Sequence, residues 1–308
     1  MENKNIINFI SEGMKISRTD LIEKDIILTK ILSHLSSKKE FFENYAFKGG
    51  TCIIKCYLGY YRFSEDLDFT YLGKFKGKSE GKIREEISNE IENVARVIEE
   101  ISKYFGLRFK AEKENKEYFQ FGGGNAFVTM KLWYNSVILD KETFIKIQIN
   151  FKEKLEYPIK ETRTRALISK GLEKEFITTY KEEANILVQP IKIKSYDLKE
   201  VLIEKVRAIL TRRGVKSRDF IDVYEITTAE KIGIKTFRKE ILDKTHAMMR
   251  FEKYKGNLEN KKNIDFSDIK KDEIKMEEES ILLKPIHKNF DIFLDNFKLF
   301  LIEISKEV

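Results

Sequence analysis

Apolar positions recur at helical spacing in several long segments of the chain. Apolar residues three or four positions apart predict helices over 17–35, 82–105, 197–213, 217–228 and 281–304, and a shorter one over 51–58. Ser17, Thr19 or Asp20 is expected to cap the first of these helices, and Ser217 the helix that begins there. The pattern therefore predicts a second half of the chain that is almost entirely helical.

Short apolar runs, some alternating with polar residues, predict strands between these helices. They cover 67–72, 126–134, 143–151 and 187–195, with a further candidate at 107–111. The run FGGGN at 121–125 is expected to be a flexible hairpin connection, and the charged run from Phe251 to Ser280 a linker or exposed loops. This order of elements predicts an α+β domain over 1–195 and a mostly helical domain over 196–308.

Composition narrows the class of protein. The 308 residues are 42% hydrophobic and include only three prolines, which suits a packed core of regular structure. No run approaches the roughly 18 apolar residues of a membrane span. The start MENKNIINFISEG lacks the features of a signal peptide. We therefore expect a cytoplasmic protein with no membrane partner.

The cysteines, the histidines and the net charge do not by themselves identify a functional site. Cys52 and Cys56 are expected to be two buried small hydrophobes, and three widely spaced histidines argue against a histidine metal site. The net charge of +7 is compatible with a polyanionic partner such as nucleic acid, but on charge alone an ordinary lysine-rich surface is the better interpretation.

Two aspartates at the beginning of a predicted strand are the strongest chemical signal. Successive odd or even positions of a strand point the same way, so Asp66 and Asp68 share one face while Leu67 and Phe69 point to the core. Two ionised carboxylates this close repel each other unless a cation lies between them. Such pairs hold Mg²⁺ that carries substrate phosphates, as in two-metal nucleotidyl transfer.

A glycine turn precedes the aspartates. Gly49 and Gly50 would allow the backbone to approach a phosphate, and the hydroxyl of Thr51 could donate to a phosphate oxygen. The alternative is a surface Asp-x-Asp after an ordinary turn. The two features together, in this order, favour a nucleotide site with Mg²⁺ on Asp66 and Asp68.

Three stretches resemble known nucleotidyltransferases. FKGGTCIIK and RFSEDLDF resemble the polymerase-β-type signature, a Gly-Gly/Ser turn followed by Asp-x-Asp, although the 14 residues between Thr51 and Asp66 exceed the usual gap. The same two segments also resemble the AbiEii/AbiGii-like abortive-infection toxins of bacterial toxin–antitoxin pairs, as do EKDIILTKIL (23–32) and EVLIEKVRAILTRRGVKSRDFIDVYEI (200–226). No further signature is recognisable after residue 228.

The resemblance implies a polymerase-β-like domain, with a mixed sheet and flanking helices, followed by the helical domain. It implies an enzyme that transfers a nucleotide from an NTP and releases pyrophosphate, with two Mg²⁺ ions on Asp66 and Asp68 and the active site in a cleft between the domains. An RNA acceptor, such as a tRNA end, and a cognate antitoxin are the implied partners.

Lys205 and Asp219 each have two possible roles. Lys205 is expected to reach the triphosphate, or else to pair with Glu204 or Glu200 on the helix surface. Asp219 would orient Lys205 or an arginine, or cap its helix. The expected phosphate contacts are Arg62, Ser64 and Lys146.

One position departs from the family pattern. The strand FIKIQINF places Lys146, Gln148 and Asn150 on one face, and Gln148 occupies the expected place of a third carboxylate. An amide can coordinate or orient, but it cannot act as a general base. Glu153 or Asp140 could substitute. The rival interpretations are a catalytically impaired nucleotide- or RNA-binding protein of the same fold, and transfer to a small molecule, against which the second and third stretches argue.

Overall fold

The structure is a computed structural model that describes residues 2–123, 126–262, 274 and 281–308. It divides into two compact units. The first comprises Met1–Glu153 and Ile159–Ser195, and the second comprises Lys154–Pro158 and Tyr196–Val308.

A mixed seven-stranded sheet forms the centre of the first unit. Its strands are β1 (Tyr45–Lys48), β2 (Asp66–Tyr71), β3 (Phe119–Gly122), β4 (Phe127–Ser136), β5 (Lys141–Asn150), β6 (Lys160–Arg163) and β7 (Lys192–Ser195). Their order across the sheet is β3-β4-β5-β2-β1-β7-β6. The pairs β2–β5 and β1–β7 are parallel and the other neighbours antiparallel. Strand β2 therefore lies near the middle of the sheet, between β1 and β5.

Helices accompany this sheet. They are α1 (Glu2–Met14), α2 (Thr19–Ser37), α3 (Lys39–Asn44), α4 (Gly49–Cys52), α5 (Glu80–Tyr104), α6 (Lys170–Thr179) and α7 (Lys181–Leu187), and a π-helical segment, Ile53–Leu58, continues α4. The buried stripe of α5 includes Ile87, Ile91 and Ile98, which belong to one core cluster with Leu67 and Ile147 of the sheet. Each such side chain contributes about 1.5–3 kcal/mol when fully buried.

The described elements of the second unit are helical. They are α8 (Leu198–Thr211), α9 (Ser217–Glu230), a 3₁₀ turn (Ile234–Phe237), α10 (Arg238–Met248), α11 (Glu252–Lys262) and α12 (Phe290–Ser305). The predicted fold class, an α+β part with a mixed sheet followed by a mostly helical part, is confirmed. No helix in the described part of the chain is long and apolar enough to cross a membrane.

Most predicted elements are present, with shifted ends. The predicted hairpin is confirmed, because β3 and β4 pair antiparallel, but Phe121 and Gly122 belong to β3 and residues 124–125 lie outside the described residues. Cys52 and Cys56 are buried free thiols. The predicted strand 187–195 was too long, because α7 continues to Leu187 and only Lys192–Ser195 is extended. The candidate strand at 107–111 is reduced to one isolated bridge, between Arg108 and Trp133.

Four helix boundaries also need correction. Helix α2 begins at Thr19, and none of Ser17, Thr19 or Asp20 caps it, because its N-cap is Arg18 and no side chain bonds there. Ser217 is the first residue of α9, and no side chain caps that helix, whose N-cap is Lys216. The final helix begins at Phe290 rather than at 281. The short helix begins at Gly49, two residues early.

The predicted linker after Phe251 was wrong in its first part, which is α11. Two polar side chains of α11 bind α8: Asn257 donates to the carbonyl of Thr211 at 2.9 Å, and Lys261 donates to the carbonyl of Ile209. Leu258, on the same helix, is buried. Tertiary contacts, which local periodicity does not encode, therefore stabilise this helix. The rest of the predicted linker, 263–273 and 275–280, lies outside the described residues.

Candidate active site

The register of the sheet brings the predicted site residues into two rows on one face. In the first row Asp66 lies beside Lys146, which lies opposite Lys131. In the second row Lys48, Asp68, Gln148, Thr129 and Gln120 follow one another across five strands. Since paired neighbours point to the same side, these polar groups share the face opposite the apolar core.

The glycine turn and the second aspartate fit closely together. Gly49 follows β1 with a φ of +76°, and a Cβ at this position would lie 2.2 Å from Oδ2 of Asp68. Any residue with a side chain would therefore displace the carboxylate as well as strain the backbone. The turn and the aspartate form one structure, as their order in the sequence suggested.

Thr51 and Ser64 join the turn to β2. The Thr51 hydroxyl donates to the carbonyl oxygen of Asp66 at 2.5 Å and lies 2.8 Å from the Ser64 hydroxyl. Thr51 is completely buried. In this structure its hydroxyl holds the first aspartate in place, and the predicted contact of Thr51 or Ser64 with a phosphate stays a prediction.

Arg62 lies beneath the turn. Its side chain is fully buried and donates to the carbonyl of Phe63 at 2.6 Å. A Cβ at Gly50 would lie 2.5 Å from Nη2 of Arg62, so the second glycine makes room for the guanidinium. The buried position gives Arg62 a supporting role here; its predicted contact with phosphate remains untested.

Gln148, at the position where a third carboxylate was expected, is held in a defined orientation. Gln148 is in register with Asp68, and its Nε2 donates to Thr129 Oγ1 at 3.1 Å. That bond fixes the orientation of the amide. Lys146 Nζ lies 4.0 Å from Asp66 Oδ1, and the predicted contact of this lysine with phosphate stays a prediction.

Of the two suggested substitutes, only Glu153 is brought to this face. Its carboxylate accepts from Asn150 at 2.6 Å and lies 3.4 Å from the ammonium of Lys48, the residue opposite Asp68. Asp140 precedes β5, eight residues before Gln148. At about 3.3 Å per residue that is roughly 26 Å along the strand.

Helix α2 supports the site with two buried acids that the sequence did not single out. Asp25 Oδ1 lies 2.9 Å from the ammonium of Lys55, which is almost fully buried and also donates to Thr29 at 2.9 Å. Glu23 accepts from the backbone N–H of Val137 at 2.8 Å, at the β4–β5 turn. Charged residues within apolar runs, such as the lysine of CIIKCYL, are the available signal for such groups.

Lys205 belongs to a buried ion-pair cluster in the second unit. Its Nζ lies 2.7 Å from Asp219 Oδ1 and 2.6 Å from Asp222 Oδ2, and Arg212 lies 2.5 Å from Asp219 Oδ2. Burial alone would raise the pKa of Asp219, but Lys205 and Arg212 outweigh it and hold that pKa below its usual value. Asp219 therefore orients Lys205 and an arginine, and the contact of Lys205 with a triphosphate stays a prediction.

Glu200, at the beginning of the third stretch, has a role that sequence inspection missed. Its Oε2 accepts from the backbone N–H groups of Glu156 and Tyr157, each at 2.8 Å. Its Oε1 accepts from Lys244, which donates also to the carbonyl of Lys154 at 2.7 Å. This buried pair attaches residues 154–158 to the helices of the second unit.

The donor set of the aspartate face suits a hard divalent cation. Asp66 and Asp68 offer carboxylate oxygens and Gln148 an amide oxygen, the ligand type that Mg²⁺ prefers. Within the described ranges, no group of three or more His, Cys, Asp or Glu side chains forms a metal cage. Asp66, Asp68 and Gln148 would be the protein ligands of such an ion, whose shell phosphate and water oxygens would complete.

Two comparisons with solved structures cover most of the chain. JHP933 from Helicobacter pylori is 12% identical, with 93% of this chain and 90% of that chain covered and a TM-score of 0.44. A candidate nucleotidyltransferase from H. pylori is also 12% identical, with 93% of each chain covered and a TM-score of 0.43. No curated protein matches the sequence.

A match to a protein-family model identifies the family of the chain. The model of the nucleotidyl transferase AbiEii toxin, type IV toxin–antitoxin system, matches residues 30–297. The match includes the glycine turn, both aspartates and the Lys205 cluster, and it extends well beyond residue 228, where no signature was recognisable. The chain thus belongs to the AbiEii family of nucleotidyltransferase toxins of type IV toxin–antitoxin systems.

Proposed function

We propose that this nucleotidyltransferase moves a nucleotide from an NTP to an RNA acceptor, such as a tRNA end, with Mg²⁺ held by Asp66 and Asp68. The observation that carries the proposal is the Asp68 carboxylate lying against Gly49, with Asp66 on the same face. The family implies a nucleotide substrate and an antitoxin partner. NTPs, Mg²⁺ and tRNA meet in the cytoplasm, so the proposal places the enzyme there.

Each group on the face has a part in this reaction. Bound Mg²⁺ would supply charge neutralisation at the phosphates and alignment of the in-line displacement. The backbone N–H groups at the Gly49–Thr51 turn would bind phosphate oxygens, since the first N–H groups of a helix have no acceptor within it. Lys146 would offset the negative charge of the triphosphate. Lys205 is proposed to do the same. Arg62, Ser64 and Asp219 would hold these groups in place.

The chemistry forms one bond and breaks one. A hydroxyl oxygen of the acceptor bonds to the α-phosphorus while the bond from that phosphorus to the pyrophosphate oxygen breaks. The hydroxyl proton leaves to water, because the Gln148 amide can accept a hydrogen bond but cannot take a proton at neutral pH. Gln148, held by Thr129, would orient the hydroxyl.

The experiment is nucleotidyl transfer to RNA in vitro. Full-length protein is incubated with Mg²⁺, each of four NTPs labelled at the α-phosphate, and either total bacterial RNA or purified tRNA, and the RNA is resolved on a gel. We expect label on the tRNA with at least one NTP. Asp66→Asn and Asp68→Asn should each abolish it with little loss of stability, because each relieves carboxylate repulsion.

Asp295→Asn is the matched control, since Asp295 is an exposed aspartate on α12. Equal labelling by wild type, Asp66→Asn and Asp68→Asn would remove the proposed site. Label on a small molecule in a cell extract, with none on RNA, would instead assign a different acceptor. NTP binding by calorimetry without transfer to any acceptor would favour the nucleotide-binding alternative.

A further inference from the structure

A large groove lies at the β3 edge of the sheet, at one end of both polar rows. Its volume is about 1110 Å³, and its lining comes from α5, from the segment that leads to β3, and from β3, β4 and the chain after β5. Lys131, the last residue of the Asp66 row, and Gln120, the last residue of the Asp68 row, both belong to this lining. These two residues lie on the aspartate face, whereas Phe119, Phe121 and the α5 residues line the groove from the apolar face, so the groove extends around the β3 edge.

The groove is basic. Five cations and one carboxylate, Glu114, line it. Two of the cations are already paired, Lys113 with Glu92 at 2.5 Å and Lys152 with Glu80 at 3.1 Å. The other three, Arg84, Lys116 and Lys131, have no carboxylate within ion-pair distance in the described part of the chain. Three cations against one acid favour an anionic ligand.

The path from the aspartates to the groove also consists of cations. Lys146 and Lys131 lie directly opposite each other on β5 and β4, an arrangement that is unfavourable for like charges. Both ammonium groups lie over the ring of Phe144, 5.6 and 5.5 Å from its centroid. An anion along this row would relieve the repulsion. Two strand spacings, about 10 Å, separate Asp66 from Lys131.

An aromatic ring also lines the groove, on the opposite face of the sheet from Lys131. Phe121, on β3, lines the groove and is 37% exposed, with its ring stacked on Phe119 at 6.0 Å. A groove that combines cations with an exposed ring is typical of surfaces that bind single-stranded nucleic acid, where bases stack on rings and phosphates pair with cations. Strand addition by an acidic peptide has less support, because β3 offers only four residues of edge.

We infer that this basic groove binds the single-stranded part of the RNA acceptor and leads it around the β3 edge, along Lys131 and Lys146, to Asp66. Arg84 and Lys116 would contact phosphates, and Phe121 would stack on a base. The inference rests on the proposed function for the identity of the RNA as the acceptor, whereas the binding itself can be measured without any transfer.

The test is fluorescence anisotropy of a labelled single-stranded RNA of about ten nucleotides with the full-length protein, at several salt concentrations. For Arg84→Gln/Lys116→Gln we expect binding weakened about tenfold or more. The slope of log K against log salt should fall in magnitude by about 1.4, since each phosphate contact on a single strand contributes about 0.7. Lys170→Gln/Lys174→Gln, two exposed lysines of α6, is the charge-matched control.

A second pair of variants tests the stacking contact. Phe121→Ala should weaken RNA binding about fivefold or more, whereas Phe121→Trp should retain it, because stacking needs only a π-face. Ile177→Ala, at an apolar α6 position that is 39% exposed, is the control for loss of exposed apolar surface. Circular dichroism melting of each variant separates loss of fold from loss of binding.

The outcomes separate this inference from the proposed function. Weaker RNA binding by the groove variants supports the groove even if wild type transfers no nucleotide. Absence of RNA binding by wild type at low salt would overturn the inference, as would groove variants that bind like the α6 control. If the groove variants lose binding to poly-glutamate but bind RNA like wild type, the groove binds an acidic peptide, and the inference is overturned as well.

Discussion

At the scale of single residues, the position of the Asp68 carboxylate depends on the absence of a side chain at Gly49. The glycine has a left-handed φ of +76°, and its missing Cβ leaves the space that Oδ2 of Asp68 occupies. Two separate requirements, backbone conformation and space, therefore coincide at one position beside the proposed metal ligands.

Replacement of Gly49 by alanine should separate these two requirements. Gly49→Ala is expected to lower nucleotidyl transfer at least a hundredfold, because the new Cβ would displace the Asp68 carboxylate. Gly106→Ala is the matched control, since Gly106 has a similar φ of +67° and open space around its Cβ position. Both variants should lose about 1 kcal/mol of stability from the strained backbone. Transfer at the wild-type rate by Gly49→Ala would show that the carboxylate needs no such placement.

Gln148 lies in register with Asp68 where a proton acceptor would be useful. Gln148→Glu should raise the rate of transfer at neutral pH about tenfold or more, because a positioned general base contributes on that order or above. The gain should disappear at acid pH, where the introduced carboxyl group is protonated and cannot act as a base. Gln148→Ala should be slower than wild type. If Gln148→Glu transfers no faster than wild type, removal of the acceptor hydroxyl proton does not limit the rate of transfer.

At the scale of elements, buried ion pairs join helices to their neighbours. Asp25 and Lys55 connect α2 to the π-helical segment after the glycine turn, and Lys205 connects α8 to Asp219 and Asp222 of α9. Removing one partner of such a pair leaves an uncompensated buried charge, which costs about 3–5 kcal/mol. Helix packing around both clusters therefore depends on the charges being present together.

Lys205→Met should destabilise the second unit by about 3–5 kcal/mol, because two buried carboxylates would remain without their shared cation. Lys199→Met is the control, since Lys199 is an exposed lysine on the same helix. Urea unfolding of the full chain, followed by far-UV circular dichroism, measures the difference. Equal midpoints for the two variants would contradict a structural role for the cluster.

The same cluster should make the stability of wild type depend on pH. The folded pKa of Asp219 lies below its usual value of 3.8, so the ionised form stabilises the fold. Its contribution is fully present above pH 3.8 and is lost as the pH falls through the folded pKa. In Lys205→Met the same acid range should cost less stability, because that carboxylate then gains from ionisation only through Arg212.

At the scale of the whole molecule, ligand binding should be visible as stabilisation of the first unit. Trp133, the single tryptophan of the chain, lies on β4, so its fluorescence reports that unit. NTP with Mg²⁺ at a hundredfold excess over its Kd should raise the free energy of unfolding by about 2.7 kcal/mol. Chelation of Mg²⁺, or Asp66→Asn with Asp68→Asn, should remove the effect, whereas Asp295→Asn should keep it. Equal stabilisation of the double variant would move the nucleotide site elsewhere.

Much of the fold and site could be predicted because the relevant physics is local. The period of two in β2 places Asp66 and Asp68 on one face whatever surrounds the strand, and helical spacing predicted α2, α5, α8 and α9. The order of the glycine turn and the aspartates likewise needed only the sequence. Short strands such as β1 and β6, and the polar helix α11, were missed because four residues, or a run of charges, carry no clear period.

The sequence by itself determined which residues carry the chemistry, a glycine turn and two carboxylates on one strand face, and the family resemblance that names the reaction. Only the tertiary structure decided their neighbours. It set Gln148 beside Asp68, buried Arg62 beneath the turn, paired Lys205 with two aspartates and placed a basic groove at the end of both polar rows. The physical reason is that strand pairing and burial depend on residues far apart in the chain, whereas periodicity and turn chemistry depend on adjacent ones.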